Sequence, residues 1–98
     1  MKTVCIIPAR MKSSRFYGKP IAKILGHPMV EHVYKRVQLA QHVDEVYVAT
    51  CDREIAEVVE QFGGQVIMTS DKHVRGTDRV AEAALNIEAD IILNAQGD

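Results

Sequence analysis

The chain has 98 residues, 47% of them hydrophobic, 26% charged and 5% aromatic. That composition excludes disorder by low hydrophobicity, a collagen-like repeat and a cysteine-stapled mini-protein, and the length allows one domain at most. Twelve Lys and Arg against 13 Asp and Glu give a formal net charge of −1, so no global basic field draws the chain to nucleic acid or to an anionic membrane.

The chain opens on a strand. Thr3–Pro8 is a β-branched run ending in proline, too short for a membrane span or a signal-peptide core. A polar loop from Ala9 to about Lys19 follows. Met29–Gln41 places Val30, Val33, Tyr34 and Val37 on one face of a helix. Asp44–Thr50 reads as a second strand. Asp52 is a candidate N-cap for a helix carrying Ile55, Val58, Val59 and Phe62, which Gly63-Gly64 ends. Gln65–Met68 is a third strand. The polar segment Thr69–Thr77 leads to a helix carrying Val80, Ala83, Ala84 and Ile87, with Thr77 as its candidate N-cap. Asp90–Ala95 is a fourth strand, and Gln96-Gly97-Asp98 begins the loop beyond it. Cys5 and Cys51 have no C-x-x-C spacing and read as buried free thiols, with the cytoplasm as the default compartment.

The order β-α-β-α-β-α-β predicts a Rossmann-like, doubly wound α/β fold with a parallel sheet. In such sheets ligands bind beyond the carboxyl ends of the strands, near the point where strand order reverses. Three polar segments leave strand ends: 9–19, 69–77 and 96–98. The first is the most informative. Residues 1–20 hold Lys2, Arg10, Lys12, Arg15 and Lys19 and no acid. Fixed cations, the hydroxyls of Ser13 and Ser14 and a glycine directly after a buried strand are the parts from which a polyanion site is built. The segment is neither G-x-x-x-x-G-K-[ST] nor G-x-G-x-x-G.

The stretch from Pro8-Ala9-Arg10 through Ser14-Arg15 to Gly18-Lys19-Pro20 resembles the nucleotide loop of the sugar cytidylyltransferases, and above all that of the members activating 3-deoxy-manno-octulosonate (KDO). His73-Val74-Arg75-Gly76-Thr77-Asp78-Arg79 is similar to that family's H-x-x-G-T-D-R segment. Asn94-Ala95-Gln96-Gly97-Asp98 is similar to its N-x-Q-G-D motif, and Gly26-His27-Pro28-Met29 fits its G-x-P-M turn. Tyr17 stands where members usually carry proline, and Arg75 where they often carry a small residue. Family enzymes are much longer, so the resemblance makes residues 1–98 the N-terminal, CTP-binding part of a longer cytidylyltransferase domain of nucleotide-diphospho-sugar transferase type.

The resemblance implies transfer of CMP from CTP to a KDO-type acidic sugar, with release of pyrophosphate, for lipopolysaccharide synthesis. It puts Arg10, Ser13, Ser14 and Lys19 on the triphosphate, with Lys19 at the α-phosphate, and the backbone of Pro8 and Ala9 against base and ribose. It puts Thr69, Gly76, Arg79 and Gln96 around the cytosine. Arg10, Lys19 and Asp98 become the catalytic set, and Asp98 the ligand of Mg²⁺. It further implies a homodimer in the full-length protein, with the sugar pocket and a second metal-binding aspartate beyond residue 98, so that these residues alone bind nucleotide without turnover. The competing readings are a cytidylyltransferase for another acidic or polysaccharide sugar and a non-catalytic nucleotide-binding module. If the fourth strand lies beside the first, Ile91-Ile92-Leu93 forms an exposed apolar edge.

Overall fold

The computed structural model describes residues 1–12, 17–72 and 76–96. Four strands form a parallel sheet: β1 (Thr3–Pro8), β4 (Glu45–Thr50), β5 (Val66–Met68) and β6 (Ile91–Asn94), in the order β5-β4-β1-β6. Between β1 and β4 lie a short 3₁₀ turn (Lys19–Ile21), an antiparallel hairpin of two-residue strands, β2 (Lys23–Ile24) and β3 (His27–Pro28), and helix α1 (Met29–Gln38). Helix α2 (Arg53–Gln61) joins β4 to β5, and α3 (Gly76–Ala84) joins β5 to β6.

The sheet is covered on both faces because β1 is apolar on both. Ile7 faces a core with Val30 and Tyr34 of α1, Val46 and Val48 of β4, and Ile55 and Val59 of α2. The alternate residues Val4 and Ile6 face Ala49 of β4 and Val80 and Ala83 of α3. Strand alternation therefore distributes the helices, α1 and α2 on one side and α3 on the other. Tyr34 ties α1 to β4 and to the residue that precedes β5. Its hydroxyl donates to the Val46 carbonyl at 3.0 Å and accepts from the Gln65 N–H at 3.1 Å.

The doubly wound parallel sheet predicted from the sequence is the observed one. The differences are local. Helix α1 stops at Gln38, short of Gln41. Helix α3 begins at Gly76, so Thr77 sits inside its first turn and is not the N-cap. Ile87 lies past the end of α3 yet packs on the same core. The hairpin is additional; at its tip Leu25 takes a left-handed φ of 54° beside Gly26 at 82°. As expected, β6 pairs with β1 and lies at the edge of the sheet, with Ile91 and Leu93 exposed.

Both cysteines are free thiols. Cys5 is buried and Cys51 half-buried. Burial pushes the Cys5 thiol above its ordinary value of 9.0. A group whose pKa is raised by folding adds stability in full below its unfolded value, and that contribution is lost as pH rises through the folded value. The urea midpoint is therefore expected to fall as pH climbs past about 9, and to fall less in Cys5→Ala.

Candidate functional site

Strand order reverses between β1 and β6, since β4 and β5 extend the sheet to one side of β1 and β6 returns to the other. That is where a parallel sheet opens a crevice beyond its carboxyl ends. The registers bring those ends level: Pro8 is opposite Ala49, Thr50 opposite Met68, and Ile6 opposite Asn94. The Ala95 N–H donates to the Ile6 carbonyl at 3.1 Å, continuing the β6 register toward Gln96.

Pro8 is the last residue of β1 and is buried, and the Ala9 N–H donates to the Ala49 carbonyl at 2.9 Å. Arg10 follows, half-buried. Met11 then fixes both ends of the loop. Its side chain is buried in the α1–α2 core. Its N–H donates to Asp52 Oδ2 at 2.8 Å, and its carbonyl accepts the Gly18 N–H at 2.7 Å. Those bonds close the loop at its base, so that Arg10 and Lys19, nine positions apart in sequence, flank one closed ring.

Gly18 makes the closure possible. Its φ of +78° is left-handed, and a Cβ there would lie 3.3 Å from Met11 Cε. Gly18→Ala is expected to cost about 1–2 kcal/mol from the left-handed backbone, measured as a lower urea midpoint. Ala22 N–H donates to the Lys19 carbonyl at 3.1 Å, setting Lys19 at the start of the 3₁₀ turn.

The far side of the crevice is built from the ends of β4 and β5 and the start of α3. Gly76 opens α3 against the Pro8 ring, where a Cβ would lie 3.2 Å from Pro8 Cγ. The Thr69 N–H donates to the Thr50 carbonyl at 2.9 Å. Glu82 of α3 accepts the Ser70 N–H at 3.1 Å. Arg79 is only 2% exposed. Its Nε donates to Thr69 Oγ1 at 3.3 Å and its Nη2 to Cys51 Sγ at 3.7 Å. The guanidinium thus joins the ends of β4 and β5 from within. At Cys51 burial raises the thiol pKa and the Arg79 charge opposes it.

Of the residues singled out from the sequence, Pro8, Ala9, Arg10, Lys19, Thr69, Gly76, Arg79 and Gln96 belong to segments at the carboxyl end of the sheet. Gln96 is exposed there and Arg79 forms part of the buried wall. Ser13, Ser14 and Asp98 lie outside the described residues, as do His73, Val74 and Arg75. Three residues with positions in this site were not singled out for it. They are Met11, whose signal is its apolar character inside a cationic loop, and Cys51 and Asp52, which follow directly on a strand end.

Residues 4–98 match a family model described as Cytidylyltransferase. The chain belongs to that family. Within the cytidylyltransferases its relatives are close over its whole length. It is 58% identical over 98 residues to 3-deoxy-manno-octulosonate cytidylyltransferase of Geobacter metallireducens, covering all of this chain and 39% of that protein. It is 51% identical over 102 residues to 8-amino-3,8-dideoxy-manno-octulosonate cytidylyltransferase of Shewanella frigidimarina, covering 41% of that protein. A solved structure of CMP:2-keto-3-deoxy-manno-octonic acid synthetase complexed with CTP shares 49% identity and a TM-score of 0.97, covering all of this chain and 41% of that one. The chain thus spans about two-fifths of the length of these cytidylyltransferases.

Proposed function

We propose that the chain supplies the nucleotide-binding part of an enzyme that transfers CMP from CTP to KDO. The observation that carries this reading is the loop that leaves the carboxyl end of β1 and closes on Met11, with Arg10 and Lys19 beside the closure, in a chain so similar to a synthetase solved with CTP. In the reaction the anomeric hydroxyl oxygen of the sugar attacks the α-phosphorus and loses its proton. The bond from that phosphorus to the bridging oxygen breaks, and pyrophosphate leaves. Charge builds on the phosphate oxygens, so positioned cations are what the chemistry needs. Arg10 offers a bidentate fork for the triphosphate and Lys19 a point charge for the α-phosphate. The hydroxyls of Ser13 and Ser14 would donate to the same phosphates. Pro8 and Ala9 would present backbone to base and ribose, while Thr69, Gly76, Arg79 and Gln96 would shape the cytosine pocket.

Mg²⁺ belongs to this proposal, with Asp98 as its protein ligand. Among the described residues no group of three or more His, Cys, Asp or Glu could hold a metal. A single carboxylate beyond β6 together with phosphate oxygens and water suits Mg²⁺, which keeps few protein ligands. When bound, the ion supplies neutralising charge at the phosphates. A homodimer, a cytoplasmic location and a role in supplying lipopolysaccharide synthesis complete the reading. No helix of the described residues is long and apolar enough to cross a membrane.

The test is to incubate the full-length protein with CTP, Mg²⁺ and KDO and follow CMP-KDO and pyrophosphate. Equal amounts of both products support the reading, and no turnover overturns it. The relative acting on the 8-amino sugar makes that acceptor the second arm. Turnover with it alone moves the substrate assignment there.

A further inference from the structure

Asp52 occupies the N-cap position of α2 with extended dihedrals, φ −100° and ψ 120°, yet its side chain makes no capping hydrogen bond to that helix. An aspartate in this position ordinarily accepts an N–H of the first turn. Here Asp52 Oδ2 accepts the Met11 N–H at 2.8 Å, across 41 positions of sequence. The residue is itself held in place, because its N–H donates to Oγ1 of the fully buried Thr50 at 3.1 Å. The Cys51 thiol donates to the same carboxylate oxygen at 3.8 Å.

We propose that Asp52 is a positioning residue for the nucleotide loop, acting through the Met11 backbone to hold Arg10 and Lys19 beside the closure of that loop. Met11 connects the two. Its N–H is held by Asp52, its carbonyl by Gly18, and its side chain by the core. Arg10 precedes Met11 and Lys19 follows Gly18, so both cations sit one residue from an atom of this chain of bonds. Without the carboxylate, Met11 keeps its buried side chain but loses the polar contact that fixes its peptide plane. The orientation of the Arg10–Met11 peptide and the closure onto Gly18 loosen together. The helix meanwhile goes without a side-chain cap, so in this fold the carboxylate is committed to the loop. As a statement about nucleotide binding, the inference rests on the CTP reading above.

Hydrogen exchange at the Met11 and Gly18 amides, with CTP affinity by calorimetry, tests it in the full-length protein. In Asp52→Ala both amides are expected to lose about tenfold in protection, and the Kd for CTP to rise about tenfold, the size of one lost bond to a charged acceptor. Asp52→Asn keeps an acceptor oxygen and is expected to stay within about threefold of wild type on both measures. A residue that only stabilised α2 would change the first-turn amides, such as Ile55, and leave Gly18 alone. That pattern overturns the proposal. So does lost protection with an unchanged Kd, if Lys19→Ala weakens CTP binding in parallel. If wild type binds no CTP at all, the nucleotide reading fails separately, and the exchange at Gly18 alone decides whether Asp52 sets the loop.

Discussion

Replacing Lys19 by alanine is expected to raise the Kd for CTP about 10- to 100-fold, as the loss of a charge-assisted contact to phosphate should. The backbone around residue 19 is held by main-chain bonds that the substitution leaves in place. Gly18 bonds to Met11, and the 3₁₀ turn is closed through the Lys19 carbonyl. The variant should therefore stay folded while binding nucleotide poorly. Lys19→Arg should recover part of the affinity, because the charge returns on a bulkier, forked head. The wild-type affinity should fall with added salt more steeply than that of Lys19→Ala. Calorimetry at two ionic strengths reads both effects. An unchanged Kd in Lys19→Ala would remove the loop from the nucleotide site.

Arg79→Ala is expected to act in the opposite way, on stability first. The side chain is 2% exposed and bonded to Thr69 and Cys51. Deleting it leaves a cavity at the joint of α3, β4 and β5 and takes the donor from Thr69 Oγ1. The expected loss is about 3 kcal/mol, within the range for breaking a buried charged contact. That is a large part of the ~5–15 kcal/mol that holds a typical domain folded. Arg79→Met should lose less, because an unbranched apolar side chain fills much of the same volume and leaves no charge to desolvate. Urea unfolding of the three proteins orders them. If Arg79→Ala and wild type share a midpoint, the guanidinium contributes nothing to the fold.

The contrast between these two cations shows what the sequence discloses. Both lie in segments whose residue types are legible, and the strand-by-strand order was readable because β1 and β4 are short β-branched runs and α1 and α2 repeat at helical spacing. Periodicity cannot show whether a charge ends up in solvent or in a wall. Arg79 is buried because α3 lies on the Val4–Ile6 face of the sheet, and that is a matter of packing between elements far apart in sequence. Asp52 illustrates the same limit. Its local context says helix cap, while its carboxylate oxygen accepts an N–H of the loop after β1. The hairpin is illegible in the sequence for a different reason. Its strands are two residues each, too short for alternation to register, and its tip puts Leu25 in a conformation that leucine seldom takes. Thr77 has the chemistry of a cap, but α3 begins one residue earlier, with Gly76 against Pro8.

The central place of β1 has a consequence for synthesis. β1 is made before the strands on either side of it, and its neighbours come from residues 45–50 and 91–94. About forty residues separate those two partners. At ~5–20 residues per second, the second edge of β1 stays open for roughly 2–8 s after the first has been covered. For most of that interval Val4 and Ile6 lack the α3 residues that later bury them. A growing chain therefore carries β1 with one edge unpaired until residues 91–94 have emerged.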